Sequence, residues 1–337
     1  MPSTIRRYQQ LSYTTFDSHV NTLAQPFSAN AGRAVSWDLP QLPEMRPLEL
    51  SDRDGLRALF AELQPQQSEF SFTNLYIWRE AYQLRLTRVG EAVAVLSWRS
   101  DPADSFLLPP LGPAAGPEAV RVCLQHLALQ GHRAKLERAT QADLERLGLT
   151  DREFAIAPER DHWDYCYLVQ DLIELRGNRY HGKRNHLEQF AGRYQFRYVP
   201  LTPDLVPACQ ELQDRWCDEK HCDLVATLRS ENRAVKEALE KLDVLGVTGG
   251  CIEVEGKVEA FALGELLNPE TVVIHIEKAN AAFHGLYQAI NQQFLEHAWS
   301  STRCVNREQD LGVAGLRDAK QSYRPHHMVE KFAVELK

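Results

Sequence analysis

Apolar residues recur with helical spacing after Ser51: Leu56, Leu59, Phe60 and Leu63 share one face, Asp52 and Asp54 occupy the first turn, and Pro65 ends the run. An aromatic segment at 70–78 follows, whose rings suit either a core or a stacking pocket. The pattern then alternates, predicting a hairpin of strands 83–89 and 92–98 around Gly90 and Glu91. A strand at 105–108, helix 117–129, strand 134–138, helix 141–147 and strands near 154–156 and 165–168 complete the first half. The second half repeats the order: helices 202–219 and 230–242, a hairpin of 250–254 and 257–266 around Glu255 and Gly256, strand 271–277 and helix 286–299. A strand beginning at Cys304, a helix at 315–323 and a closing strand at 331–336 end it. The order of elements repeats although the residues do not, so a tandem duplication is expected. It places one domain at 44–175 and a second, carrying the site, at 176–337. Residues 1–43 mix Ser, Thr, Gln, Asn and Pro without a period and read as a mobile or surface-draped leader.

Composition narrows the class. With 337 residues, 44% hydrophobic and 25% charged, the chain can bury two ordinary cores. A net charge of -8 argues against a surface coated with positive charge for bulk nucleic-acid binding, leaving only a local basic patch. Seven scattered cysteines with no Cys-x-x-Cys pair predict neither a disulfide framework nor a zinc ribbon, and suggest a reducing compartment. No run approaches the roughly 18 apolar residues that cross a bilayer, so no transmembrane segment and a cytoplasmic location are expected.

Three polar clusters are candidates for chemistry. Between Arg176 and Arg197 six Lys or Arg stand against one Glu, reversing the sign of the chain. There Arg179, Lys183, Arg184, Asn185 and His186 suit phosphate groups, or form a solvated helix entry. His181 and His186 are a poor metal pair, and the spacing of Cys217 and Cys222 matches no standard site, so no metal is expected. In the second cluster a strict period of two puts His275, Glu277 and Ala279 on one strand face and Ile274, Ile276, Lys278 and Asn280 on the other. Glu277 then acts as a general base, binds an amine, or pairs with Lys278. In the third, Asn306, Glu308 and Asp310 alternate with Arg307 and Gln309, and Lys320 and Tyr323 are neighbours on a helix. A Lys can steady charge on an acyl carbonyl and a Tyr can return a proton to a leaving hydroxyl; a hydrogen-bonded corner is the structural alternative. Walker and dinucleotide fingerprints are missing, and no cofactor is expected.

The order of elements resembles the GNAT acyltransferase fold, in which the sheet splays after its central strand and an acyl donor lies over the next helix N-terminus. The loop Asn280 to Gly285 occupies that position, but it has one glycine and no Arg or Lys, unlike a coenzyme A loop. The run Arg179 to His186, then Asn306 to Gly312, then Gly315, Leu316 and Arg317 with Ala319, Lys320, Ser322, Tyr323 and Pro325, resembles the bacterial family named after the C-terminal half of phosphatidylglycerol lysyltransferase. The resemblance covers about 45–337. It implies an α+β protein of tandem GNAT-like domains, each a mixed, mostly antiparallel sheet flanked by helices, related to the Fem-type ligases that draw an amino acid from aminoacyl-tRNA. The lysyltransferases' Lys, aromatic and Pro are matched by Lys320, Tyr323 and Pro325, with Lys331 near their final basic position. No membrane-embedded half of the kind they carry is expected, and the acceptor, a small molecule or a lipid headgroup among the options, is left open. The leading expectation is aminoacyl transfer from aminoacyl-tRNA: Lys320, Glu277, Tyr323 and Asp310 act in catalysis, and Arg179, Lys183, Arg184, Asn185, His186, Lys278, Asn306, Arg307 and Gly285 bind substrate. The alternatives are a non-catalytic module that grips tRNA, a nucleotide or a phospholipid headgroup, and a coenzyme A-dependent transferase.

Overall fold

The computed structural model describes residues 37–337. The leader expectation for residues 1–36 lies outside them. Residues 38–43 are draped on the first sheet, with Leu39 buried and Gln41 bridged to Arg88.

The first half of the chain runs β1 (Arg46–Pro47), α1 (Arg53–Leu63), α2 (Phe72–Trp78), β2 (Leu84–Val89), β3 (Ala92–Ser97), β4 (Phe106–Leu107), α3 (Pro117–Leu129), β5 (Lys135–Thr140), α4 (Gln141–Arg146), β6 (Phe154–Pro158) and β7 (Asp164–Leu168). The aromatic segment is the short helix α2, capped by the Ser71 hydroxyl, which accepts from the Asn74 N–H at 3.0 Å. All but one of its residues are buried, so its rings are chiefly core. Two helices follow, α5 (Val169–Glu174) and α6 (His181–Arg193), the latter built from the basic stretch. The second half runs β8 (Phe196–Pro200), α7 (Val206–Lys220), α8 (Ala226–Glu240), α9 (Leu242–Leu245), β9 (Thr248–Val254), β10 (Lys257–Asn268), β11 (Thr271–Ala279), α10 (Leu286–Ala298), β12 (Cys304–Asn306), α11 (Ala314–Gln321), β13 (His327–Val329) and β14 (Lys331–Leu336).

Among the described residues these strands form two seven-stranded sheets of the same plan. One runs β1-β2-β3-β4-β5-β14-β6 and the other β8-β9-β10-β11-β12-β7-β13. Each has one parallel pair, β4 with β5 and β11 with β12, bridged by a crossover helix, α3 or α10. All other pairings are antiparallel, which makes the fold a tandem of GNAT-like units. The last strand of each half is exchanged: β7 enters the second sheet and β14 the first. The expected boundary at 175/176 falls between the two strand sets, yet two strands cross to the other sheet. A buried ion cluster marks the exchange, because Lys331 at the start of β14 donates to Glu69 (2.6 Å) and to Asp164 at the start of β7 (2.7 Å).

The expectation of no disulfide is corrected at one place. Cys217, near the end of α7, is bonded to Cys222 in the turn that leads to α8, while the other five cysteines are free and buried. The spacing carries no disulfide pattern; the bond arises because His221, at φ 54°, turns the chain back sharply.

Candidate active site at the split of the second sheet

Strand β11 pairs with β12 only over Thr271–Val273, because β12 ends at Asn306. From Ile274 onward the sheet is open on that side, and a cavity of about 490 Å³ lies there. Its walls come from β11, α2, α6, α8, α10, α11 and the segment after β12.

The strict alternation expected for β11 fails at His275. Leu263 of β10 pairs with Ile276 and Gly264 pairs with Ile274, so His275 is an extra residue, a β-bulge. Gly264 permits it: a Cβ there would stand 2.7 Å from the Val273 carbonyl oxygen. Past the bulge the faces invert, and Ile274 and Glu277 both serve the α10 side. Ile274 reaches the neighbourhood of Phe294, and Glu277 accepts from Asn291 at 3.2 Å, both on α10. Lys278 points to the opposite side, where it donates to Glu231 (2.6 Å) and lies 3.4 Å over the ring of Trp216. Burial pushes its ammonium down, opposed by Glu231.

Arg307, just past β12, reaches across the split and donates to Glu277 at 2.9 Å. Lys320 of α11 is half-buried and donates to the carbonyls of Arg307 (2.6 Å) and Gln309 (2.5 Å), keeping a third N–H. Burial lowers its pKa to about 8, although Glu308 acts in the other direction. Tyr323 is buried edge-on to Tyr167, and its phenol is pushed up by burial. Lys183 from α6 lies 4.0 Å over the Tyr323 ring, and Arg307 is 5.1 Å from the same centroid. Burial, and then Arg307, pull the Lys183 pKa down.

The cavity therefore gathers Lys183, Glu277, Lys278, Arg307, Lys320 and Tyr323 of the expected residues, and leaves others outside. Asp310 is a structural corner. Burial works against its ionisation, but Arg317 (2.8 Å), the Tyr165 hydroxyl (2.6 Å) and the Gly312 N–H (2.9 Å) win and hold its carboxyl below the usual range. Those bonds occupy its oxygens, which corrects the catalytic part expected of it. Asn306 is likewise structural, donating to the Gln66 carbonyl and to Asp164, both at 3.0 Å. Arg184 closes the turn before α6 by donating to the carbonyls of Leu175 and Gly177, and Arg179 pairs with Asp171 at 2.7 Å. Asn185 bonds His181 on the exposed face of α6. His186 stacks on His284 with centroids 4.6 Å apart, beside the cavity rather than in its wall. Gly285 caps α10 at φ 94°, where a Cβ would meet the His186 carbonyl oxygen at 2.3 Å; it is a packing glycine that lets α6 approach.

Sequence reasoning missed a row in the same place. His275 Nε2 is 3.0 Å from Glu265 Oε1, and its Nδ1 is 3.0 Å from Glu308 Oε1. Burial opposes a charge on His275, but the two carboxylates raise its pKa to about 9. The signals available were a histidine in an apolar strand and a Glu beside the splay; the bulge that joins them has no sequence mark. Elsewhere among the described residues Glu137, Glu159 and His162 offer metal-type atoms within 4.8 Å of one another, but Lys135 already stands 3.2 Å from Glu137 Oε1.

A split sheet, an open parallel pair and a cavity in the gap define a GNAT-like architecture. The chain belongs to the family described as phosphatidylglycerol lysyltransferase, C-terminal, whose pattern matches residues 60–335. A conserved protein of unknown function from Bacteroides thetaiotaomicron is 31% identical, with a TM-score of 0.79 over 89% of this chain and 100% of that one. The C-terminal domain of a candidate lysylphosphatidylglycerol synthetase from Agrobacterium fabrum has a TM-score of 0.60 at 12% identity, over 85% of this chain and 92% of that one. L-PGS from Bacillus licheniformis has a TM-score of 0.58 at 13% identity, over 88% and 93%; at these identities the likeness is one of fold. An uncharacterized protein of Mycoplasmoides gallisepticum is 22% identical over 182 residues, 51% of this chain, which spans little more than half, 56%, of that relative. No helix among the described residues is long and apolar enough to cross a membrane.

Proposed function

We propose that the chain transfers an aminoacyl group from aminoacyl-tRNA to a nucleophilic acceptor, with the reacting carbonyl in the cavity at the split. The observation that carries this reading is the convergence of Lys320, Arg307, Lys183 and Tyr323 on one cavity beside an opened strand pair. Membership of a family named for a lysyltransferase supports the same class. The acceptor's hydroxyl or amine attacks the ester carbonyl, and the tRNA 3′-oxygen leaves with the proton that the nucleophile gives up. In this scheme the third N–H of Lys320 faces the oxyanion that forms on the carbonyl. Lys183 has no carboxylate partner among the described residues and meets phosphate or another anionic part of a substrate. Glu277 has one oxygen on Arg307 and the other on Asn291, so it fixes the arginine rather than serving as a free base.

The test is to incubate the protein with charged tRNAs and a panel of small-molecule and lipid acceptors, and to follow loss of the ester. Protein-dependent loss is expected, and Lys320→Met is expected to slow it about a hundredfold, the usual cost of an oxyanion donor. Salt-sensitive tRNA binding without turnover would instead favour a non-catalytic module.

A further inference from the structure

The row of Glu265, His275 and Glu308 has no part in the proposed transfer. Its geometry is specific. Two donors grip Glu308 Oε1, His275 Nδ1 at 3.0 Å and Asn74 Nδ2 at 3.1 Å, and among the described residues no donor reaches Oε2. The His275 side chain is 1% exposed and that of Glu308 is 19%, so the row runs from the protein interior to the cavity wall. The other carboxylates lining the cavity are differently committed: Glu277 has both oxygens occupied, and Glu231 holds Lys278 with a side chain 34% exposed. Lys320 does not close the row either, since two of its N–H groups go to backbone carbonyls.

The backbone also favours this aim. Glu308 has φ 57°, a left-handed conformation uncommon for a glutamate. It is held there because its N–H donates to Asn306 Oδ1 at 2.8 Å and its carbonyl accepts from the Tyr165 N–H at 3.2 Å. A strained residue kept in place by its neighbours, lining the cavity with one carboxylate oxygen pinned and the other without a donor among the described residues, is arranged to receive a donor from outside.

We propose that Glu308 is an ammonium-binding residue, taking a primary amino group of the cavity's ligand on its free Oε2, and that His275, anchored by Glu265, is the positioning residue that aims it. Resting on the transfer reading, this amine is the α-amino group of the aminoacyl ester. The raised His275 pKa agrees with a histidine that donates to both carboxylates at once.

Binding of alanine methyl ester is compared with that of methyl propionate, which has the same ester and no ammonium, by ligand-observed NMR titration of the full chain. Wild type is expected to prefer the amino ester about tenfold or more, the worth of a charge-assisted hydrogen bond. Glu308→Gln is expected to abolish the preference, and His275→Gln to reduce it while leaving methyl propionate binding unchanged. General damage would lower both ligands together. If Glu308→Gln does not fold, Glu308→Asp, one methylene shorter, replaces it and is expected to lose most of the preference. No preference in wild type, or a preference that survives in the Glu308 variant, overturns the proposal. Since the assay involves no tRNA and no turnover, a preference that depends on Glu308 without any ester loss would keep this site and reject the transfer reading.

Discussion

Lys320 and His275 illustrate how burial alone does not decide a charge. Both are withdrawn from water, the His275 side chain more fully, but Lys320 meets mainly carbonyl dipoles and its pKa falls to about 8, whereas His275 lies between two carboxylates and rises to about 9. The His275 shift has a stability consequence. Its folded pKa is raised above the ordinary 6.5, so its contribution is full below about 6.5 and is lost as pH rises through about 9. Glu265 from β10 and Glu308 after β12 face the ring, with the Ser71 hydroxyl 3.4 Å from Nε2; Arg57 stands behind Glu265 at 3.9 Å. Urea melts at pH 6 and pH 9.5 should therefore show the stability gap between wild type and His275→Gln narrowing at the higher pH. A gap that is constant or widens would contradict the charged row.

At the scale of elements, the split that makes the cavity depends on two local features, the short β12 and the bulge in β11. Gly264 opposite the bulge has no room for a side chain, so Gly264→Ala must push against the Val273 carbonyl and the Ile274 side chain. A loss of about 1–3 kcal/mol is expected, the usual cost of overpacking, measured as a lower midpoint in urea at unchanged slope. How much was legible in the sequence follows from how local each signal is. The hairpins announced themselves by alternation around Gly90 and Gly256; Lys320 and Tyr323 both line the cavity, but α11 ends at Gln321, so they are not the helix-surface neighbours that their spacing suggested. The stretch from Ile274 to Asn280 reads as a strand of period two, yet His275 is extra, because a bulge is set by its partner strand and not by its own residues. Asp310 looked like part of an acceptor row, but Arg317, seven residues on, and Tyr165, far back in the chain, absorb it.

For the molecule as a whole, the duplication visible in the order of elements proved to be a pair of sheets that trade their last strands. That exchange could not be read from the sequence, since β7 and β14 look like ordinary strands whichever sheet they join. Its consequence is that Lys331, near the lysyltransferases' final basic position by resemblance, is fully enclosed with Glu69 and Asp164 and ties the two sheets together. The six expected residues that do meet line the cavity at the split, and Lys320 is the one proposed to face the oxyanion there. The most direct measurement is the pH dependence of protein-dependent ester loss from aminoacyl-tRNA, with spontaneous hydrolysis subtracted. Protonated Lys320 is the form that donates, so the wild-type rate should fall as pH rises through about 8, and Lys320→Arg should move that fall to a clearly higher pH. No protein-dependent loss, or an identical falling limb in both proteins, would contradict it.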